Sequence, residues 1–351
     1  MKQNIRLLNE TQIKEFLKSI GEKEFRSKQI MEWLWKKSCT SIPDMSNLSL
    51  ELRNSLIENF ILDAVKIGEF QKSADRTIKN AFVLPDNNIV EGVLIPTKTR
   101  LTACISSQVG CSLTCKFCAT GKLKRLRNLE AYEIYDQVVL IKQQAEIFYS
   151  SNLTNIVYMG MGEPLLNYKN VLESIAKITS PNGLGMSPQR ITVSTAGISK
   201  MIAKLGDDNV KFNLALSLHA ANDEKRNHIM PINEQNSLEA LKDSINYFYE
   251  KTGTRVTFEY IVFKDFNDSI DDAKELVAFC RVTKSKVNII EYNPIDEGEF
   301  LQTTPERLNA FMHHLDSNGI IANIRRSRGK DIDAACGQLA NKNKLKPRVL
   351  E

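Results

Sequence analysis

The sequence lacks any uninterrupted apolar run of about 18 residues, the length a membrane-crossing helix needs. It also lacks a charged-then-apolar leader ending in small residues. Neither a membrane span nor a secretory signal is indicated, and the cytoplasm is the expected compartment. Internal repeats, low-complexity tracts and long disordered linkers are missing too, so the chain does not read as an array of stacked units. A second pair of metal knuckles is also missing: Cys115 and Cys118 form the one CxxC, and there is no HxxxH. Structural zinc takes four closed ligands, usually from two such pairs, so a zinc module is disfavoured.

What is present fits a folded protein of 351 residues, 42% hydrophobic and 25% charged, enough for one large domain and a small one. Seven cysteines, at 39, 104, 111, 115, 118, 280 and 336, are odd in number and unevenly spaced. A chain this large needs no disulfide staples, so the pattern points to metal or redox chemistry in a reducing compartment. The net charge of +5 says little alone. Its distribution says more. The run KLKRLR at 122–127 follows the cysteine cluster, and Arg325, Arg326, Arg328 and Lys330 precede Cys336, with Lys342, Lys344, Lys346 and Arg348 after it.

Residues 1–85 read as a small helical accessory domain, with amphipathic stretches near 11–20, 25–37 and 48–60. Trp33 and Trp35 belong to the second and are expected to pack. Alternation over 78–95 suggests a hairpin turning at 85–88. From about 100 onward strand-like runs (101–106, 155–160, 190–195, 212–219, 255–263, 287–292 and 320–326) alternate with helical stretches. Repeated β-then-α implies a parallel sheet with right-handed crossovers. Six clear units fall short of a closed eightfold barrel, so residues 86–351 are expected to form an α/β, partial (β/α)6 TIM-like barrel.

In such folds ligands bind at the C-terminal ends of the strands. The residues after each strand are unusual: the cysteine cluster, then GMGEP at 160–164, Ser194, Ser217-Leu218-His219 and Asn293. A four-iron cluster held by only Cys111, Cys115 and Cys118 leaves one iron without a protein ligand, and an open iron is a binding site. The spacing CxxxCxxC, with Phe117 before the third cysteine, resembles the radical S-adenosylmethionine (SAM) superfamily. That resemblance implies a [4Fe-4S] cluster whose open iron is chelated by SAM, with one electron releasing a 5′-deoxyadenosyl radical. It further implies SAM contacts from Gly162, Glu163, Pro164, Ser194, Ser217, Leu218, His219 and Asn293.

Cys39 and Cys280 sit in helical patterns and read as small buried hydrophobes. Cys104, on the strand that leads to the cluster, and Cys336, in the polar loop RGKDIDAACGQL, do not. VEGVLIP, CISSQVGC, CKFCATG, LKRLRNL, GMGEPLLN, SLHA, MPIN and DIDAACGQL together resemble the RlmN family of dual-specificity bacterial RNA methyltransferases, which methylate adenine C2 in 23S ribosomal RNA and in certain transfer RNAs. The resemblance runs from FRSKQI to Cys336. It implies two SAM molecules per turnover: Cys336 accepts the methyl group of one, and the radical from the other activates that S-methyl for addition to C2. Cys104 then attacks the Cys336 sulfur to release product, with a transient disulfide between them, and Glu91 takes the C2 proton. A flavodoxin-like electron donor and a monomeric enzyme are also expected by family. The basic clusters would hold phosphates, and the target base would have to leave its stack. Three alternatives stay open at this point: a C8-specific methyltransferase on the same scaffold, a non-catalytic metal-stabilised RNA-binding protein, and a glycyl-radical activase.

Overall fold

A computed structural model of the chain describes residues 2–341, so the basic residues at 342, 344, 346 and 348 lie outside the described residues. At the start, β1 (Gln3–Asn4) pairs in parallel with β2 (Phe60–Ile61) and closes a unit of three helices. These are α1 (Glu10–Ser19), α2 (Arg26–Met31), which runs into a π turn over Glu32–Lys36, and α3 (Leu50–Asn59). An Asn9–Gln12 capping box opens α1 and Ser49 caps α3, satisfying N–H groups that a helix start leaves unpaired. Ile13, Leu17, Ile30, Leu34, Leu52 and Leu56 fill the interior. Trp35 packs there as expected; Trp33 is half-buried, with the Lys37 ammonium 3.7 Å over its ring.

The rest is built on a ten-stranded sheet. In chain order its first strands are β3 (Lys66–Lys72), β4 (Ile78–Val83), β5 (Ile89–Pro96) and β6 (Leu101–Cys104), all antiparallel. A small separate ladder of β7 (Gln108–Val109) with β8 (Arg127–Asn128) follows. The sheet then continues in parallel from β6 through β9 (Asn155–Tyr158), β10 (Ile191–Thr195), β11 (Asn213–Ser217), β12 (Val256–Val262), β13 (Ser285–Glu291) and β14 (Ala322–Arg325). The crossovers carry α4 (Ala131–Tyr149), α5 (Tyr168–Thr179), α6 (Ser199–Asp207), α7 (Asp223–Ile229) with α8 (Leu238–Thr252), α9 (Ile270–Cys280) and α10 (Pro305–Ser317). Six crossovers between seven parallel strands make the partial (β/α)6 barrel the sequence predicts. No helix among the described residues is long and apolar enough to cross a membrane.

One feature differs from the sequence reading, the point at which the helical unit ends. The hairpin at 85–88 forms, with Val83 opposite Ile89 and Ile78 opposite Leu94, and position 85 therefore lies inside one turn of the sheet. The helical unit ends near residue 62 instead. The strand that fills the gap, β3, escapes a period-2 reading because its register shifts between Ile67 and Glu69, which breaks the alternation. The helical unit is anchored to the barrel by Arg6, whose guanidinium donates to both oxygens of buried Asp136 on α4 at 2.6 and 2.7 Å and to the Cys39 carbonyl at 2.9 Å. The Val65 N–H also reaches that carboxylate, at 3.0 Å.

Candidate active site

The loop after β6 carries the cysteine cluster. It starts from Ser106, fully buried, whose hydroxyl donates to the Glu91 carbonyl and accepts from the Met161 N–H. Gly110 turns it with φ +74°, where a Cβ would lie 2.3 Å from the Lys124 carbonyl oxygen, so only glycine fits. Cys111, Cys115 and Cys118 then line one cavity of about 870 Å³, counting its open mouth, together with Gly162, Glu163, Pro164, Ser194, Ser217, His219 and Cys336. Residues scattered from 111 to 336 thus meet at the strand ends.

Burial pushes the Cys111 thiol up to about 11, and it raises Cys115 and Cys118 as well. In the metal-free chain these thiols hold their protons, and metal ligation replaces protons with a better-matched cation. Among the described residues no three His, Cys, Asp or Glu side chains converge on a single ion. Three soft thiols around a cavity wall suit a multi-iron cluster better than one tetrahedral zinc.

The neighbouring turn suits a close-approaching ligand. A Cβ on Gly160 would meet the Ser106 hydroxyl at 2.6 Å, and one on Gly162, at φ +95°, would meet Gln108 Cβ at 2.5 Å. Glu163 follows, 4% exposed; its carboxylate accepts from the Leu165 N–H at 3.0 Å and the Ala196 N–H at 2.7 Å. Burial raises its pKa while those backbone bonds oppose the shift. The Ser194 and Ser217 hydroxyls lie 3.4 Å apart. His219, in the left-handed region at φ +56°, accepts the Ile261 N–H on Nδ1, which leaves its proton on Nε2. Burial, helped by the Arg226 charge, lowers its pKa to about 3, so it is a neutral donor.

Two expected SAM contacts are placed differently. Leu218 is fully buried and does not line the cavity; its N–H is taken by the Glu259 carbonyl and its C=O by Arg226. Asn293 does not line it either, and its amide donates to the Cys336 carbonyl at 3.2 Å.

A second cavity, about 2250 Å³ on the same basis, continues into the barrel and is lined by both Cys104 and Cys336. The two cysteines lie on the same cavity although 232 positions apart. All seven cysteines are free thiols, so the disulfide expected between these two is not a feature of this structure. Burial pushes the Cys104 thiol up to about 12. Glu91 is 2% exposed and lines neither cavity. One oxygen stands 3.8 Å from the Lys79 ammonium, and the other accepts from the Ala340 and Asn341 N–H groups at 2.9 and 3.2 Å. The strap that follows Cys336 is therefore seated on it.

The basic clusters divide as well. Lys122 is tied to the Asp296 carbonyl, and Arg127 to Asp86 and Glu133 at 2.7 Å each; Lys124 and Arg125 are exposed. Sequence reasoning passed over Glu259, Met159 and Arg226, of which Glu259 and Met159 line both cavities. Glu259 had a signal: it is a lone charge in VTFEYIV, a strand otherwise fit for full burial, and a buried charge needs a reason.

Residues 3–62 match the ribosomal RNA large subunit methyltransferase N-terminal domain, and residues 105–279 match the radical SAM superfamily. The chain is 62% identical over 341 residues, 97% of its length and 93% of the relative's, to the "Probable dual-specificity RNA methyltransferase RlmN" of Cytophaga hutchinsonii. It is 55% identical to the protein of the same name from Christiangramia forsetii, covering 97% of each chain. The crystal structure of a radical SAM methyltransferase from Sphaerobacter thermophilus superposes with a TM-score of 0.90 at 36% identity, covering 96% of this chain and 99% of that one.

Proposed function

The chain belongs to the RlmN family of dual-specificity RNA methyltransferases within the radical SAM superfamily, and on that premise we propose that it methylates C2 of adenine in 23S ribosomal RNA and in transfer RNA. The observation that carries the reading is the meeting of Cys104 and Cys336 on the larger cavity, while Cys336 and Cys118 also line the neighbouring cavity with Cys111 and Cys115. Adenine C2 is neither nucleophilic nor acidic, so a polar methyl transfer has no donor pair to use, and a sulfur carrier beside a radical source answers that need.

Cys111, Cys115 and Cys118 would hold a [4Fe-4S] cluster, with SAM against Glu163, Ser194, Ser217 and His219; when bound, these supply the methyl group and a hydrogen-abstracting carbon radical. Cys336 is the methyl carrier, a partly buried residue that lines both cavities. Cys104 is the thiol that frees the product by attacking the Cys336 sulfur: an S–S bond forms as the S–C bond breaks, and the electron pair goes to the C2 methylene carbon, which takes up a proton to become the methyl group. Glu91 takes the C2 proton, for which Ala340 and Asn341 must first give up its carboxylate. Asn293 holds the Cys336 backbone in place. Two SAM molecules per turnover, a flavodoxin-like electron donor, a monomer and a cytoplasmic setting belong to the same reading. Residues 3–62 form an RNA-docking accessory unit, with Lys124, Arg125 and the exposed arginines before Cys336 on phosphates.

The test is to incubate anaerobically reconstituted protein with SAM, reductant and unmodified 23S and transfer RNA, then identify nucleosides by mass spectrometry. The expected product is 2-methyladenosine, absent with Cys336→Ala. Formation of 8-methyladenosine would overturn the regiochemistry, and no modified adenosine from a SAM-cleaving preparation would overturn the substrate.

A further inference from the structure

Arg325, Arg326, Arg328 and Lys330 all read as phosphate contacts in the sequence. The fold separates them. The side chain of Arg326 is 79% exposed, and Arg326 and Lys330 each stand 3.5 Å from Glu291 at the surface. Arg328 is half-exposed near Asp75. Arg325, at the end of β14, turns inward and lines both cavities, the larger one beside Cys104 and Cys336.

Its guanidinium is aimed by two neighbours. Nη1 lies 3.6 Å from Glu259 Oε2 and 3.4 Å from Met159 Sδ. Glu259 is itself fixed, because Asn288 donates to its Oε1 at 2.8 Å, while Oε2 has no hydrogen-bond partner of its own. Among the described residues lining the cluster-side cavity, Arg325 is the one permanent cation, facing the carboxylates of Glu163 and Glu259 and four cysteine sulfurs. The Cys336 sulfur, ahead of Glu259 and Cys104, holds this guanidinium well above its ordinary range. With its side chain 30% exposed against 79% for Arg326, Arg325 is turned toward a sulfur-lined cavity and is poorly placed for a phosphate that lies outside it.

We propose that Arg325 is a positioning residue for the sulfur chemistry: held by Glu259, it is the counter-cation for the Cys336 sulfur when that sulfur acts as a nucleophile. The inference rests on the reading of Cys336 as methyl carrier. In that step the sulfur pair forms the S–CH3 bond while the donor's sulfonium–CH3 bond breaks toward the donor sulfur, so the negative charge beside Arg325 disappears. The cation therefore favours the electron-rich sulfur that precedes transfer over the neutral thioether that follows it.

Iodoacetamide alkylation of Cys336 in the anaerobic holoenzyme, followed by peptide mass spectrometry, reads this without SAM. Arg325→Met is expected to slow alkylation about tenfold and Arg325→Lys to restore most of the rate, with RNA affinity unchanged in both. Arg325→Gln repeats the measurement should the methionine variant melt early. Unchanged alkylation in the neutral variants, with weakened RNA binding, overturns the proposal and returns Arg325 to the phosphates. If wild-type enzyme incubated with SAM carries no methyl on Cys336, the carrier reading falls, while the alkylation comparison still decides the role of Arg325.

Discussion

His219 is held neutral by where it sits, and that has a measurable cost in acid. Its folded pKa, lowered to about 3 by burial, lies below the unfolded value near 6.5. Between those values the unfolded chain binds the extra proton, so this residue withdraws stability as pH falls from 6.5 toward 3. His219→Asn can keep the acceptor for the Ile261 N–H and tolerates the left-handed backbone. We expect denaturant titrations from pH 6.5 to 4 to show a shallower loss in the variant, by up to about 1.4 kcal/mol per pH unit. An unchanged slope would mean that His219 is protonated in the fold. At this scale the sequence was most legible for the cysteines, because ligand type and short spacing are local properties. It was least legible for Glu91 and Arg325, whose neighbours lie about 250 and 166 positions away.

Among the elements, the strap that carries Cys336 has the most to lose. It leaves β14, turns at Gly329 with φ +65° and is caught by the tip of the β3–β4 hairpin: Asp331 accepts from the Ser73 hydroxyl at 2.6 Å and the Ala74 N–H at 3.0 Å, while the Gly329 N–H reaches Asp75 at 2.9 Å. These bonds, with Asn293 and Glu91 further along, hold the backbone on either side of Cys336 beside the cavity. Asp331→Ala removes two of them, each worth roughly 1–3 kcal/mol when charged. Hydrogen exchange over 329–336 should speed up and turnover should fall about tenfold or more, with iron content and SAM cleavage unchanged. Unaltered exchange would show that the hairpin does not hold the strap. Periodicity revealed the parallel strands and the β4–β5 hairpin, since each carries a clear pattern. It could not reveal that the tip of an antiparallel extension grips a loop some 258 residues away.

For the whole molecule the question is how the helical unit stays registered to the barrel. The Arg6–Asp136 pair is buried on both sides, with side-chain exposures of 1% and 7%. Removing one partner leaves an uncompensated buried charge, so Arg6→Ala is expected to cost about 3–5 kcal/mol, read as a lower thermal midpoint and earlier proteolysis near residues 60–65. A stability change below about 1 kcal/mol would mean that water or another cation takes over. By itself the sequence determined the family resemblance, the grouping of Cys111, Cys115 and Cys118, the separateness of Cys104 and Cys336, and the alternation that builds the barrel, because each is written in residue type and short-range spacing. Only the tertiary structure decided that Arg325 turns inward while Arg326 turns out, that Glu91 is covered by the strap, and that the Leu218 N–H and C=O are engaged by Glu259 and Arg226. Those outcomes depend on strand parity, register and loop closure between distant segments, and neither composition nor local period encodes them.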